Sequence, residues 1–482
     1  MTTINRWVVL FWGITLSFAF LVAIPEEHFV FRSISVTLVA VLSICYYLYK
    51  RYSGKLSLQS DLLISINTLV QFLIPVFYLA FYYQAYPFLD RHNFRYGFAV
   101  TSFAALLGQS MFFLGYESIR SSMYFPRVKI REASYTKEFI IFLPLLISIW
   151  ISRVVLLTTG SYYHIYRSEF QSTSFWFSIC TQLSQFGLII IMVLFIIAFS
   201  EERKIDKKRK LGIAIVALAL EMVWHLPSGA RSEITMSIVA PVVTFILIKR
   251  KVPIRVLTTI LLIGIPLFAL YDNYRYTISN YVGLTELKFS ATLPALIESR
   301  EWMKEQEYNI VEKTICRYDG QSLNYLLMNY SSDYDWEKGG TYKNIPFVVV
   351  PRFIYPEKPV LTVAIDNWYH LVEGGSSPIT FWGESYINFS WFGIIAMSFL
   401  LGLGMKGYDL FFAKRMSNQY WLCLYGFGAV FIILKLTMHT AVVWIATLLH
   451  VIVLAFVFTS LHTVLTKIIH RKAFPHIRPT RV

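Results

Sequence analysis

The sequence contains few charged residues and few cysteines. Only 15% of its 482 residues are Asp, Glu, Lys or Arg, whereas soluble domains contain about a quarter. This scarcity of charge excludes an ordinary cytosolic enzyme. The four cysteines, Cys45, Cys180, Cys316 and Cys423, form no CxxC pair, and no HExxH, P-loop or GxGxxG motif is present. Zinc hydrolysis and soluble nucleotide binding therefore lack sequence support, and we expect no metal and no cofactor.

Long apolar runs take the place of charge. Hydrophobic residues make up 56% of the chain, aromatic residues 17%, and the mean hydropathy is +0.53. Apolar runs of about 20 residues are long enough to cross about 30 Å of hydrocarbon as helices. The sequence therefore predicts an all-α polytopic membrane protein with about 12 transmembrane helices. The predicted spans are 7–24, 29–49, 62–83, 95–116, 138–157, 176–199, 211–227, 234–248, 256–272, 388–405, 420–440 and 442–465.

The net charge of +15 is explained by topology rather than by nucleic acid. Basic residues gather in alternate connections, which predicts a multi-pass membrane protein with both termini cytoplasmic. On the cytoplasmic side, the basic residues would meet anionic lipid headgroups. Membrane lipids are therefore expected partners, and nucleic acid is not. The basic groups lie within 50–55, 120–137, 203–210, 249–255, 406–415 and 467–481.

One connection is much longer than the others. Residues 273–387, between the ninth and tenth spans, are predicted to form an external, periplasmic loop domain. Residues 1–272 would hold the first nine spans, and 388–482 the last three with the basic tail. Within the loop, Ala291–Met328 has a helical apolar pattern. A loop of this length is usually functional.

The first candidate site is the tip between the seventh and eighth spans. Pro227 and Gly229 break the helix, and a helix starting near Ser232 would present free N–H groups to an anion held by Arg231. The alternative is that Arg231 only marks the membrane interface.

The second candidate lies in the long loop at Pro346–Pro359. Three prolines between 351 and 359 fix an extended backbone, which would hold Arg352 and Lys358 in set directions suited to phosphate. An ordinary proline-rich stretch packed on the membrane face is the alternative.

The third candidate is the stretch that leads into the tenth span. Glu384, Tyr386, Asn388 and Trp382 combine a carboxylate, an amide and aromatic rings, a set that would bind sugars. One alternative is that the aromatic residues only mark a membrane interface. For Glu384, the alternative is that it only caps the tenth helix, whose first turn favours a negative charge.

Charged residues inside the predicted spans are costly. Arg153, Glu221 and Lys435 each require a partner or a hydrated cavity. Glu221 and His225 are four residues apart and so share a helix face. We expect a structural pair, with a proton relay or an active-site role as the alternative.

At Gly229–Arg231, Pro351–Pro359 and Gly383–Asn388, and in its topology, the chain resembles the Wzy-type oligosaccharide repeat-unit polymerases of bacterial surface polysaccharide assembly. This family includes the O-antigen and enterobacterial common antigen polymerases, which contribute to lipopolysaccharide. The resemblance in topology covers nearly the whole chain, whereas the matching residues form short, degenerate motifs.

The resemblance implies transfer of a growing glycan from undecaprenyl diphosphate onto a lipid-linked repeat unit at the external leaflet of the bacterial inner membrane. As in the membrane-embedded C-type glycosyltransferases, no metal is needed and arginines bind the diphosphate. We assign this role to Arg231, Arg352 and Arg275, with Lys358 in support, because guanidinium groups stabilise a departing diphosphate. Glu384 or Asp366 is the expected base. A chain-length regulator protein is a further possible partner.

Two other functions fit parts of the pattern. The O-antigen ligases share topology and chemistry with the polymerases. A lipid-linked oligosaccharide flippase would also suit a bundle of this size with a cationic cavity, although it needs neither the long external loop nor the proline-fixed basic strand.

Overall fold

The computed structural model describes residues 4–52, 58–82, 94–120, 135–158, 175–201, 203–225, 231–251, 320–333, 335–350, 379–416 and 419–435, with isolated positions elsewhere. Most of these residues are helical, and no strand occurs among them. The α-helices are α1 Ile4–Ala23, α2 Phe29–Tyr52, α3 Ser60–Thr68, α4 Ile74–Tyr82, α5 Phe94–Ser118, α6 Tyr135–Thr158, α7 Phe175–Ser200, α8 Lys204–His225, α9 Arg231–Lys249, α10 Gly320–Asp333, α11 Phe381–Ala413 and α12 Gln419–Lys435. A π-helical turn, Leu69–Leu73, joins α3 to α4, and 3-10 helices cover Glu26–His28 and Thr341–Val349.

Several helices are built to face lipid. Four of them, within Arg6–Ala23, Glu26–Tyr52, Arg95–Ser118 and Phe381–Ala413, are long and apolar enough to cross a membrane. On α1, large side chains such as Phe11 and Val22 are exposed to 66% and 71%. Exposed apolar surface of this extent is normal only against lipid or a partner. The chain is therefore an all-α membrane protein.

The predicted spans match the described helices to within a few residues at most of their ends. Three differences stand out. The basic run Arg203–Lys210 was predicted to be a connection, but α8 begins at Lys204, so the run forms the first turns of a helix. Lys406, predicted to lie in a loop, is inside α11 and only 5% exposed. The tenth span was predicted to begin at 388, whereas α11 begins at Phe381.

Part of the predicted topology lies outside the described ranges. This applies to nearly all of the spans at 256–272 and 442–465, to most of the long loop, and to the basic tail, so the count of twelve spans stays a prediction. Of the helix predicted at Ala291–Met328, only the final quarter, residues 320–328, coincides with α10.

α11 consists of two helical pieces rather than one continuous rod. The backbone leaves helical geometry at Phe389 (φ −143°, ψ 22°) and Ser390 (φ 57°, ψ −148°). A positive φ is uncommon for a residue with a side chain, because its Cβ crowds the backbone. We call residues 381–388 the half-helix and 391–413 the long piece.

The half-helix folds back along the long piece. The indole Nε1 of Trp382 donates to Ser398 Oγ at 3.1 Å, and a Cβ at Gly393 would overlap the carbonyl oxygen of Ser385. In a continuous helix, residues 382 and 398 would be separated by about 24 Å. The paired positions move away from the break on both sides, as in an antiparallel helical hairpin. The N-terminus of the half-helix therefore lies deep in the bundle rather than at its surface.

Contacts with α5 agree with this arrangement. Trp391, just after the break, packs on Phe103 with ring centroids 5.8 Å apart. Trp382 instead faces Gly108, more than one turn further along α5, where a Cβ would meet its indole ring. Trp382 also contacts Phe72 in the π-helical turn. Because α5 has a glycine at this level, the indole can enter the packed bundle.

Candidate functional site

The half-helix carries the predicted carboxylate, Glu384, into the interior. Its side chain is completely buried. Thr380 caps the half-helix, since its Oγ1 accepts from the N–H of Gly383 at 3.1 Å. Glu384 lies in the first helical turn, where the free N–H groups favour a negative charge. Ionisable side chains buried at membrane depth are rare and commonly mark functional sites, which makes Glu384 a candidate.

The segment 335–349 covers the half-helix from the side of the break. The N–H of Glu337 donates to the carbonyl of Ile387 at 3.0 Å, which satisfies an acceptor at the end of a helix. Asn388 Nδ2 donates to Thr341 Oγ1 and to the carbonyl of Glu384, both at 2.8 Å. These bonds tie the start of the 3-10 helix to the end of the half-helix.

Tyr342 adds a polar group to this contact. Its hydroxyl lies 3.5 Å from Ser385 Oγ. Burial and the nearby charge of Glu384 raise the pKa of Tyr342 above its usual value, so the phenol stays protonated and can donate a hydrogen bond. The 3-10 helix that carries Tyr342 directly precedes Pro351 and Arg352 in the sequence. The second and third predicted clusters are therefore linked through Thr341–Val349.

Aromatic rings surround the half-helix. Tyr386 is 5% exposed and packs edge-on against Trp336 and Trp391, at centroid distances of 5.4 and 5.9 Å. Trp382 is 7% exposed and donates to Ser398. Asn388 is 1% exposed. These three side chains are therefore packed inside the protein in this structure, and their role in glycan binding stays a prediction.

The other predicted site residues are only partly covered by the structure. Arg352, Arg275, Lys358 and Asp366 lie outside the described residues. Arg231 is the first residue of α9, one position before the helix start expected near Ser232. The prediction of a helix N-terminus at the hairpin tip is confirmed.

Charged residues near this tip form a chain of contacts that we call the Arg153 network. Arg153 binds Glu221, Glu221 lies 3.1 Å from His225 Nε2, and His225 Nδ1 lies 2.9 Å from Glu233 Oε2. The expected pairing of Glu221 with His225 is confirmed, and Arg153 has the partner that its burial requires. Glu233, which sequence reasoning did not single out, completes the chain.

A second set of buried charges lies at the opposite end of the bundle, and no local sequence pattern indicated it. We call it the Arg51 network. Arg51 of α2 forms ion pairs with Asp61 of α3 and Glu117 of α5. Glu117 also accepts from Arg6 of α1 at 3.1 Å and from the hydroxyl of Tyr47 at 2.6 Å.

Asp409 of α11 is the other centre of the Arg51 network. It is completely buried and accepts from Ser60 N at 3.0 Å, Ser60 Oγ at 2.7 Å, Tyr116 at 2.6 Å and Tyr425 at 2.9 Å. Lys406, one turn earlier, lies 4.8 Å from the centre of the Tyr116 ring. The network thus joins α1, α2, α3, α5, α11 and α12. Partners so far apart in the chain produce no local sequence pattern, which is why they were missed.

No group of three or more His, Cys, Asp or Glu residues able to hold a metal ion occurs in the part of the chain that the structure describes. Described basic residues near the predicted external end include Arg153 of the network and also Arg32, Arg95, Lys338 and Lys343. The carboxylate of Glu384 is a group that can take part in acid–base chemistry.

No protein-family model, curated protein or solved structure matches the chain. The likeness to the repeat-unit polymerases therefore rests on short motifs and predicted topology. The described residues themselves establish an all-α membrane protein with a buried carboxylate on a folded-back half-helix.

Proposed function

We propose that this protein is a membrane-embedded glycosyltransferase that polymerises lipid-linked oligosaccharide repeat units at the external leaflet. The donor is a growing glycan on undecaprenyl diphosphate, and the acceptor is a lipid-linked repeat unit. Glu384 is the general base, with Asp366 as the second candidate. Arg231, Arg352, Arg275 and Lys358 bind the diphosphate, whereas Tyr386, Asn388 and Trp382 form the glycan side.

The burial of Glu384 is the observation that carries this proposal. Moving a carboxylate from water to the centre of a helix bundle costs roughly several kcal/mol unless partner groups compensate its charge. It is held on an interrupted helix, and helices broken at membrane depth are a recurrent device for binding sites in membrane proteins. In the sequence, the 3-10 helix beside it is followed directly by the proline-rich basic stretch that is predicted to bind phosphate. A base next to the start of a phosphate-binding strand is the arrangement that the reaction needs.

The reaction balances with these groups alone. The acceptor hydroxyl oxygen attacks the anomeric carbon of the donor sugar, while its proton passes to the Glu384 carboxylate. The bond from that carbon to the diphosphate oxygen breaks, and undecaprenyl diphosphate leaves with the bonding electrons. Guanidinium groups then neutralise the charge that gathers on the leaving group.

The Arg51 network favours an enzyme over the flippase alternative. A flippase must expose its site alternately to the two leaflets, which requires the cytoplasmic end to open. At the end predicted to be cytoplasmic, buried ion pairs and the bonds to Asp409 join six helices. Separating them would leave several buried charges without partners, at about 3–5 kcal/mol for each broken pair.

Deletion and complementation in the host test the proposal. A polymerase predicts loss of long polymer with single-repeat glycan retained. A ligase predicts polymer that remains on the carrier lipid, and a flippase predicts repeat units trapped on the cytoplasmic leaflet. Either of the last two outcomes would contradict the proposal.

Complementation with Glu384→Gln tests the base. The amide keeps the shape of the side chain but cannot take a proton, so polymer formation should fall by about 10²- to 10⁴-fold while the protein still accumulates. Glu337→Gln is the matched control, because Glu337 is exposed and holds the half-helix only through its backbone N–H. It should leave the polymer unchanged. Normal polymer from Glu384→Gln would remove Glu384 as the base.

A further inference from the structure

The Arg153 network connects α6 to the first turn of α9 through four side chains. Arg153 comes from α6, Glu221 and His225 from the last turns of α8, and Glu233 from α9. The side chains of Arg153 and Glu221 are 2% and 6% exposed, and those of His225 and Glu233 are 12% and 19% exposed. The network therefore runs from the packed interior outward to the start of α9.

The contacts of His225 determine the charge of this network. Each ring nitrogen faces a carboxylate oxygen, and ionised carboxylates only accept hydrogen bonds. Both nitrogens can donate only in the doubly protonated imidazolium form. The network then contains two positive and two negative groups and is neutral as a whole. The hydrogen bonds in such a chain reinforce one another.

The two halves of the network differ in what surrounds them. The guanidinium of Arg153 lies 5.1 Å from the ring centres of both Trp150 and Trp224. A Cβ at Gly187 of α7 would lie 2.5 Å from Arg153 Nη2 and from Glu221 Oε1, so the glycine leaves room for the pair where α7 passes it. This inner half is fixed by its packing.

The outer half consists of the contact between His225 and Glu233. It joins the last residue of α8 to the first turn of α9, across the tip that bears Gly229. Glu233 is two residues after Arg231. Because the inner half anchors His225, the bond to Glu233 determines where α9 starts and how its first turn is rotated.

We propose that His225 and Glu233 are positioning residues that fix the first turn of α9 and thereby direct Arg231 toward a lipid-linked diphosphate. This inference rests on the diphosphate-binding role of Arg231 in the proposed function. It adds a specific task for the Arg153 network, which otherwise reads as a purely structural set of ion pairs.

Binding of undecaprenyl diphosphate to the purified full chain in detergent tests the proposal without requiring polymer synthesis. Glu233→Ala removes the acceptor for His225 and should weaken binding about tenfold, the scale expected when a binding group is displaced. Glu233→Gln keeps an oxygen that accepts from Nδ1–H, so binding should stay within about threefold of the unaltered chain. Equal losses in both variants would show that binding does not depend on the hydrogen bond to His225 and would overturn the positioning role.

Hydrogen–deuterium exchange of the same proteins separates positioning from general stability. Amides of residues 235–239 bond to carbonyls of 231–235, so release of the first turn of α9 should speed their exchange in Glu233→Ala. Exchange in α7 and α8 should not change. The matched control is Glu201→Ala, which breaks an ion pair with Lys210 at the other end of α7 and α8. It should alter neither binding nor exchange in 235–239.

Each remaining outcome is decisive. Unchanged binding and exchange in Glu233→Ala would overturn the proposal, and so would faster exchange spread evenly through α7, α8 and α9. If the unaltered chain binds undecaprenyl diphosphate but forms no polymer, the proposed polymerase function fails while the positioning of Arg231 is upheld by the binding data.

Discussion

The two buried charge networks are built differently, although each lies at one end of the same helix bundle. In the Arg51 network, carboxylates are shared: Asp409 accepts four hydrogen bonds, and Glu117 binds two arginines. In the Arg153 network each group contacts its neighbours in a line, and the line ends at a helix start. A carboxylate that accepts from several helices holds all of them together at once. In a linear chain of contacts, the position of each side chain instead determines the position of the next one. We therefore expect the first to dominate stability and the second to dominate ligand binding.

Asp409→Ala should have the largest effect on stability. The substitution removes the acceptor that the hydroxyls of Ser60, Tyr116 and Tyr425 share, and it removes a negative charge beside Lys406. The hydroxyl of Tyr425 keeps the carbonyl of Leu58 at 2.6 Å. We expect a loss of about 3–5 kcal/mol and little folded protein. Thermal unfolding in detergent and yield after extraction measure this. Glu26→Ala, which removes an exposed partner of Arg32, should change stability by less than about 0.5 kcal/mol. A normal unfolding temperature for Asp409→Ala would show that the Arg51 network does not lock the bundle.

Arg153→Leu should cost less than Asp409→Ala. The substitution removes one charge from the linear network, but His225 remains beside Glu221 and compensates part of its charge. A loss of about 2–3 kcal/mol is expected from the buried position and the lost contacts with Trp150 and Trp224. The same unfolding measurement applies, with Arg209→Leu on the exposed side of α8 as the control. A loss equal to or larger than that of Asp409→Ala would contradict the difference drawn between the two networks.

Gly393→Ala should separate the half-helix from the long piece of α11. The new methyl group would overlap the carbonyl of Ser385, and backbone cannot move aside as a flexible side chain can. We expect a loss of about 2–3 kcal/mol together with loss of polymer formation. Gly404→Ala in the same helix meets no atom within 4 Å, so it should keep or slightly raise stability. Equal behaviour of the two variants would mean that the half-helix does not fold back.

Ser390→Gly should have the smallest effect and the opposite sign. Ser390 has φ 57°, a conformation that glycine adopts without a steric cost. We expect a gain of about 0.5–1 kcal/mol after the greater backbone entropy of glycine is counted. Ser390→Ala keeps a Cβ and should bring no such gain. The unfolding temperatures of the two variants are sufficient for this comparison. A higher unfolding temperature in both would rule out relief of backbone strain as the cause of the added stability.

Local patterns in the sequence predicted what local forces determine. Apolar runs bounded by charge located α1, α2 and α5 to within three residues at each end, because burial in hydrocarbon acts on each segment separately. The spacing of Glu221 and His225 predicted their contact because one helix carries both. The sequence also indicated that Arg153 needed a partner, although not that the partner was Glu221.

The missed features depend on contacts between distant segments. The apolar pattern continues through Phe389 and Ser390, so nothing local marks the break, and the fold-back depends on Gly393 fitting against Ser385. Asp409 and its partner Ser60 are 349 residues apart in the chain. Lys406 was assigned to a loop because a lysine is costly in lipid, yet its neighbours in the folded bundle include Tyr116.

The fold-back of α11 has a consequence for how the protein is assembled in the membrane. Eight residues of helix span about 12 Å, too short to cross a bilayer, so the half-helix cannot be inserted as a segment of its own. The 23 residues of the long piece, 391–413, are sufficient to do so. The half-helix, with a break that exposes backbone polar groups, must then enter a bundle that already offers Gly108 and Ser398 to receive Trp382. We therefore expect the docking of Glu384 into the interior to follow membrane integration of the long piece, because Gly393 and Ser398, against which the half-helix packs, are synthesised after it.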